Sequence, residues 1–132
     1  MGQKVVIIGG VAGGAGTAAR FRRNDENAEI IMFERGGYIS FANCGLPYYI
    51  GNTITKMGKL LIQTPEAMHK RFNIDVRINS EVTKINLADK TVEVSERLTG
   101  KTYTESYDKL VISTGASPVI PDIPGIDGRN IY

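Results

Sequence analysis

Residues Lys4 to Gly9, KVVIIG, form a near-continuous apolar run that ends in glycine. A strand buried on both faces of a parallel sheet reads this way, because neither face has water to meet. The turn Gly9-Gly10-Val11-Ala12-Gly13-Gly14 follows, and a helix is expected from about Gly13 to Arg23. Gly14, Ala15, Ala18 and Ala19 give that helix a small-residue face able to lie close to a sheet. After the polar break Asn24–Asn27, the run Glu29 to Glu34, EIIMFE, reads as a second strand. Strand, tight turn, helix and strand within about 30 residues make a βαβ unit, which confines the chain to the α/β class.

The rest of the chain is read against that unit. Arg35 to Asn43 is a loop, and Cys44 is expected to open a short helix with Pro47 in its first turn and Gly51 at its end. Residues 52–63 show no usable period. Thr64 is placed to cap a helix from Pro65 to about Phe72. From Ser80 the period changes to two. Ser80–Leu87 (apolar Val82, Ile85, Leu87), Thr91–Arg97 and Thr102–Tyr107 read as an antiparallel meander spanning 80–107. Asp108 to Ser113, DKLVIS, returns to the buried-strand pattern. The fold expected is a Rossmann-like parallel sheet with an inserted three-stranded antiparallel meander, the two forming part of a domain over residues 1–117. Residues 118–132, with Pro118, Pro121 and Pro124, read as a connector.

The glycine turn points to a nucleotide. In the fingerprint G-x-G-x-x-G the glycines would fall at positions 9, 11 and 14, and Gly9 and Gly14 match while Val11 departs. Gly10 and Gly13 are available for close backbone approach instead. Glu34 ends the second strand 20 residues after Gly14, where an acid accepts from an adenosine ribose. The helix N-terminus offers free N–H groups and a positive dipole end to phosphates. Arg35 either stacks near adenine, contacts a 2′-phosphate, or is an ordinary solvated arginine.

Cys44 is the only cysteine in 132 residues. An internal disulfide framework is thereby excluded, and a reducing cytoplasm is the default compartment. A lone thiol is either a small buried hydrophobe or a nucleophile, and its reactivity follows its pKa and exposure. The net charge of +2 is too small to argue for nucleic acid or an acidic membrane, although Arg20, Arg22 and Arg23 make a local basic group. No apolar run approaches the roughly 20 residues needed to span a bilayer. A strand begins within a few residues of Met1, so no signal peptide is expected. Tyr48 and Tyr49 read as packing residues, Met32, Met57 and Met68 as core or surface filler, and the sole histidine, His69, receives no metal role.

Three blocks, KVVIIGGVAGGAGTAARFRR, IIMFERGGYISFANCGLPYYIG and YDKLVISTGASPVIPDIPG, resemble the N-terminal FAD-binding part of the pyridine nucleotide-disulfide oxidoreductases. Within that superfamily SFANCGLPYY is most similar to the single-cysteine branch, the coenzyme A-disulfide reductases. Two-cysteine relatives carry a second cysteine five positions on, where this chain has Tyr49. The resemblance therefore implies an external partner, coenzyme A, in a mixed disulfide Cys44–S–S–CoA, reduced through FAD at the expense of NADH or NADPH. It implies FAD contacts at Gly9, Val11, Ala12, Gly13, Gly14, Glu34, Arg35, Asn43 and Val82, and at Thr114-Gly115-Ala116 approaching the flavin. It implies coenzyme A contacts at Arg20, Arg23, Ser40 and Asn43, with Gly16 a close-approach point and Arg71 a further candidate. Without the resemblance, Arg20 and Arg23 read equally well as solvated helix surface.

Family members are several times longer. No second glycine-rich βαβ unit, later FAD segment or C-terminal interface domain is found, so a fragment of a homodimeric enzyme, inactive alone, is expected. Three readings stand: reduction of coenzyme A disulfide or a related persulfide or polysulfide; an NADH oxidase or peroxidase cycling Cys44 through a sulfenic acid; and a non-catalytic nucleotide-binding module.

Overall fold

A computed structural model of the chain describes residues 2–129. It has three layers: helices, a four-stranded parallel sheet and a three-stranded antiparallel sheet. Strand β1, Lys4–Ile8, lies between β2, Glu29–Phe33, and the late strand β7, Lys109–Ile112, both parallel to it. A short strand β3, Asp75–Arg77, completes the order β3-β2-β1-β7. The α/β expectation holds.

The apolar run in β1 is explained by its two faces. Val5 and Ile7 pack with Ile30, Met32, Ala15, Ala18 and Met68 on the helix side. Val6 and Ile8 pack with Ile31, Phe33, Val92, Val94 and Tyr107 on the other. All four of these β1 side chains are buried, so no polar residue is tolerated between Val5 and Ile8. Helix α1, Ala12–Asn24, lays Gly14, Ala15 and Ala18 against the sheet, where the absence of bulky side chains permits close approach.

The second sheet is β4, Ser80–Asn86, β5, Thr91–Glu96, and β6, Thr102–Ser106, in that order. Val82 and Ile85 are three apart, which a regular strand would place on opposite faces. Both nevertheless pack into the inner core, because a bulge between Val82 and Lys84 resets the register to Val82 opposite Val94 and Ile85 opposite Val92. Leu87, expected as a third inward residue, lies beyond the end of β4 and is exposed.

Helix α3, Pro65–Phe72, starts on Thr64 as expected: Ala67 N donates to Thr64 Oγ1 at 3.2 Å. It ends at Asn73, whose backbone is left-handed. The strand β3 that follows is an addition to the elements expected from the sequence. It has only three residues, too few for a readable period, and it pairs along its length with β2. Residues 118–129 form neither helix nor strand, and residues 130–132 of the expected connector lie outside the described part.

One polar network ties the two sheets together. Glu105 on β6 accepts from Lys4 Nζ of β1 at 2.7 Å and from Arg77 Nη1 of β3 at 2.8 Å. Arg77 also donates to Asp75 and to the Tyr103 hydroxyl. Burial alone would raise the Glu105 pKa, but the hydrogen bonds from Lys4 and Arg77 outweigh it and hold the carboxyl below its usual range. The bond to Glu105 raises the Lys4 ammonium, against a smaller opposing effect of burial. A depressed acid stabilises the fold above its ordinary pKa and loses that contribution as pH falls through the depressed value; a raised amine loses its contribution only as pH climbs past the raised value. Glu105→Gln is therefore expected to cost about 2 kcal/mol at neutral pH and to flatten the acid limb of a plot of denaturation midpoint against pH. An unchanged acid limb would show that the network is not responsible.

Candidate functional site

Glu34 sits just past the end of β2, and both its carboxylate oxygens are held. Gly10 N donates to Oε2 and Gly36 N to Oε1, each at 2.8 Å. A carboxylate has about four acceptor positions, so two remain for a ligand hydroxyl. Beside it opens a cleft of about 120 Å³ at the C-terminal end of the parallel strands. Gly9, Glu34, Arg35, Val82 and Thr114 of the expected residues line it. Ile8, Phe33, Ser80 and Glu81 line it too, and no motif points to them. Their signal is position: each lies next to a strand end that feeds the same crevice. Gly115 and Ala116 are exposed and do not line this cleft.

Tight steric demands explain the glycine turn. Gly9 has φ +98°, and a Cβ there would overlap the Ser113 carbonyl. A Cβ on Gly14 would overlap the Gly9 carbonyl oxygen. Gly10 and Gly13, expected to give a ligand close approach, instead make room for Ile39 and the Ser113 side chain. The α1 N-terminus remains free: Val11 at its cap makes no side-chain hydrogen bond, and no acid occupies the first turn. Those uncapped N–H groups suit a phosphate. With an anchored carboxylate beside a partly apolar cleft, the residues present fit an adenine dinucleotide such as FAD.

On the far side of the same turn lies a second, wider cleft of about 330 Å³. Val11 and Ala12 line this one rather than the first, together with Gly16, Arg23, Ser40 and Arg71. Gly16 faces open space, and a Cβ added at that position would meet nothing within 4 Å, so protein packing does not require a glycine there. Arg20, expected to work with Arg23, is exposed and lines neither cleft. Ala15, Ala19, Gln63, Met68 and Phe72 complete the wall, although nothing in their sequence context marks them as site residues.

Cys44 is exposed, so the reading as a buried small hydrophobe fails. It does not open the α-helix directly. It lies in a 3₁₀ turn, Asn43–Gly45, that precedes the five-residue helix α2, Leu46–Ile50. Helix α2 buries none of its side chains, and Tyr48, expected to pack, is 59% exposed. A helix this short at the surface has no core face to fill.

The loop carrying Cys44 is nonetheless held. Ser40 N donates to Gly10 O at 2.8 Å, joining it to the glycine turn. Ala42 N donates to Leu60 O at 2.8 Å, Ile62 N donates to Ser40 O at 3.1 Å, and Phe41 bridges Leu61. The stretch 52–63, which has no readable period, thus supplies the support for the thiol. Asn43 is exposed beside Cys44 and lines neither cleft.

A parallel sheet with a glycine turn and an anchored acid at its strand ends defines the Rossmann-like class of α/β domain. The sequence profile described as pyridine nucleotide-disulphide oxidoreductase matches residues 3–132, and the chain belongs to that family. Coenzyme A disulfide reductase from Staphylococcus epidermidis is 47% identical over 115 residues, which cover 87% of this chain and 26% of that protein. The crystal structure of reduced Bacillus anthracis CoADR-RHD superposes with a TM-score of 0.93 at 59% identity, covering 96% of this chain and 23% of that one. A NAD-dependent persulfide reductase from A. fulgidus superposes with a TM-score of 0.90 at 39% identity, again over 96% of this chain and 23% of the other. The chain spans about a quarter of the length of these relatives. Among the described residues no helix is long and apolar enough to cross a membrane.

Proposed function

We propose that this chain is the FAD-binding portion of an NADH- or NADPH-dependent enzyme that reduces coenzyme A disulfide through Cys44. The observation that carries the reading is the exposed thiol on a loop hydrogen-bonded to the nucleotide turn. The turn is shared: its other side lines a cleft whose charged residues are both arginines, Arg23 and Arg71. In this reading residues 1–117 belong to the flavin domain, 118–132 lead toward a nicotinamide domain, and the full-length enzyme is a cytoplasmic homodimer.

The chain's own residues have defined tasks. Glu34 accepts from the ribose of the adenosine half, the uncapped α1 N-terminus faces the pyrophosphate, and Val82 and Thr114 border the cleft. The Cys44 thiolate attacks one sulfur of coenzyme A disulfide, forming Cys44–S–S–CoA and releasing one coenzyme A thiolate. FAD held by Glu34 and the α1 N-terminus would supply, once reduced by the nicotinamide, the electron pair for cleaving that mixed disulfide, and with one proton Cys44 would return to the thiolate as a second coenzyme A thiol departs. Arg23, Arg71 and Ser40 hold the coenzyme A end, with Arg20 on α1 and Asn43 on the thiol loop as further candidates. A persulfide acceptor at the same sulfur is a second reading, favoured by the likeness to the A. fulgidus enzyme.

The test is anaerobic oxidation of NADH and NADPH by the full-length enzyme with coenzyme A disulfide as acceptor. Turnover that requires the disulfide supports the proposal. Turnover that begins only with oxygen or peroxide points to sulfenic acid chemistry and overturns it.

A further inference from the structure

Two adjacent arginines on α1 do opposite things. Arg22 uses its donors on backbone: Nε donates to Phe72 O at 2.7 Å, Nη2 to Asn73 O at 3.0 Å, and Nη1 to Glu26 O at 2.6 Å. It rivets the C-terminal end of α3 to the C-terminal end of α1. Arg23, the next residue, makes no ion pair or side-chain hydrogen bond among the described residues, and neither does Arg71 on α3. Their guanidinium carbons instead lie 5.9 Å and 5.1 Å from the centroid of one ring, that of Phe72. All three residues line the second cleft, and the arginines are its only charged lining residues.

Two like charges from different helices converging without a counterion repel each other. A long arginine side chain at a surface would otherwise spread over many rotamers. An aromatic face attracts guanidinium groups through its quadrupole, and here one half-buried ring, packed on the core and anchored through its own carbonyl, serves both. We infer that Phe72 is a positioning residue: it holds Arg23 and Arg71 together over the cleft so that a phosphorylated ligand meets a paired cation already in place. The inference rests on the coenzyme A reading and adds to it the device that orients the two cations.

The test uses the full-length enzyme with two acceptors, coenzyme A disulfide and pantethine, which has the same disulfide end and no phosphate. Phe72→Leu is expected to raise KM for coenzyme A disulfide about fivefold to tenfold, with kcat within about twofold and KM for pantethine unchanged. Phe72→Tyr keeps the aromatic face and is expected to restore the lower KM. Equal losses with both acceptors, no loss in Phe72→Leu, or a Tyr variant no better than Leu would each overturn the assignment. A wild-type enzyme inert to coenzyme A disulfide would instead overturn the functional reading, and the inference with it.

Discussion

Cys44→Ser is expected to abolish disulfide-dependent oxidation of the nicotinamide, by about a thousandfold or more, while leaving the fold and flavin absorbance unchanged. The reason is chemical. A serine hydroxyl neither ionises near neutral pH nor forms a bond to sulfur that a reductant can cleave, so both the attack and the recovery step disappear. The structure separates this loss from a folding defect. Cys44 is exposed in a 3₁₀ turn whose geometry is fixed by backbone bonds of Ser40, Ala42 and Ile62, none of which uses the thiol. Surface replacements of that kind shift stability by no more than about 0.5 kcal/mol. The measurement is a paired one: anaerobic turnover with coenzyme A disulfide, and thermal unfolding of the same preparation. Retention of even a tenth of wild-type turnover would remove Cys44 from the reaction.

The second large effect is structural. Gly14→Ala is expected to cost about 3 kcal/mol or more in a denaturant titration, although alanine is the better helix former. Its methyl group would overlap the Gly9 carbonyl oxygen and press on Ile7, and the backbone on both sides is pinned. Gly9 N donates to Phe33 O at 2.8 Å, and Gly9 itself sits against Ser113. Gly16→Ala, two residues along the same helix, is the internal control. A Cβ there meets nothing within 4 Å, so helix propensity alone acts and the variant should gain about 0.5–1 kcal/mol. The same methyl group narrows the second cleft, so on the proposed coenzyme A reading the rise in KM for coenzyme A disulfide appears in a protein that is more stable. If the two alanine variants had equal stability, the steric account of the turn would fall.

The central βαβ unit is legible in the sequence because its constraints are local. A strand buried on two faces has no polar residue to interrupt it, and glycine is demanded where one backbone crosses another. The α3 cap and the strands of the meander are legible for the same reason. Other features depend on partners distant in the chain. Short β3 exists because β2 offers it an edge, pairing Ile31 with Asp75 and Phe33 with Arg77. The three-residue spacing of Val82 and Ile85 makes sense only with the bulge against β5. Residues 52–63 carry no period because their role is to brace the Cys44 loop through Leu60, Leu61 and Ile62, not to fill a face.

The site divides in the same way. Residue types in fixed local order, the glycine turn with Glu34 and the single cysteine, determined what chemistry the chain is equipped for. Which arginines come to line a cleft was decided in three dimensions. Helical spacing puts Arg20 and Arg23 on one face and Arg22 off it, but that spacing gives Arg20 and Arg23 equal standing. Only the docking of α3 beside α1 separates them. It surrounds Arg22 with backbone carbonyls, sets Arg23 over the Phe72 ring with Arg71, and leaves Arg20 outside both clefts, because a side chain's role follows from the groups that a second helix brings within its reach.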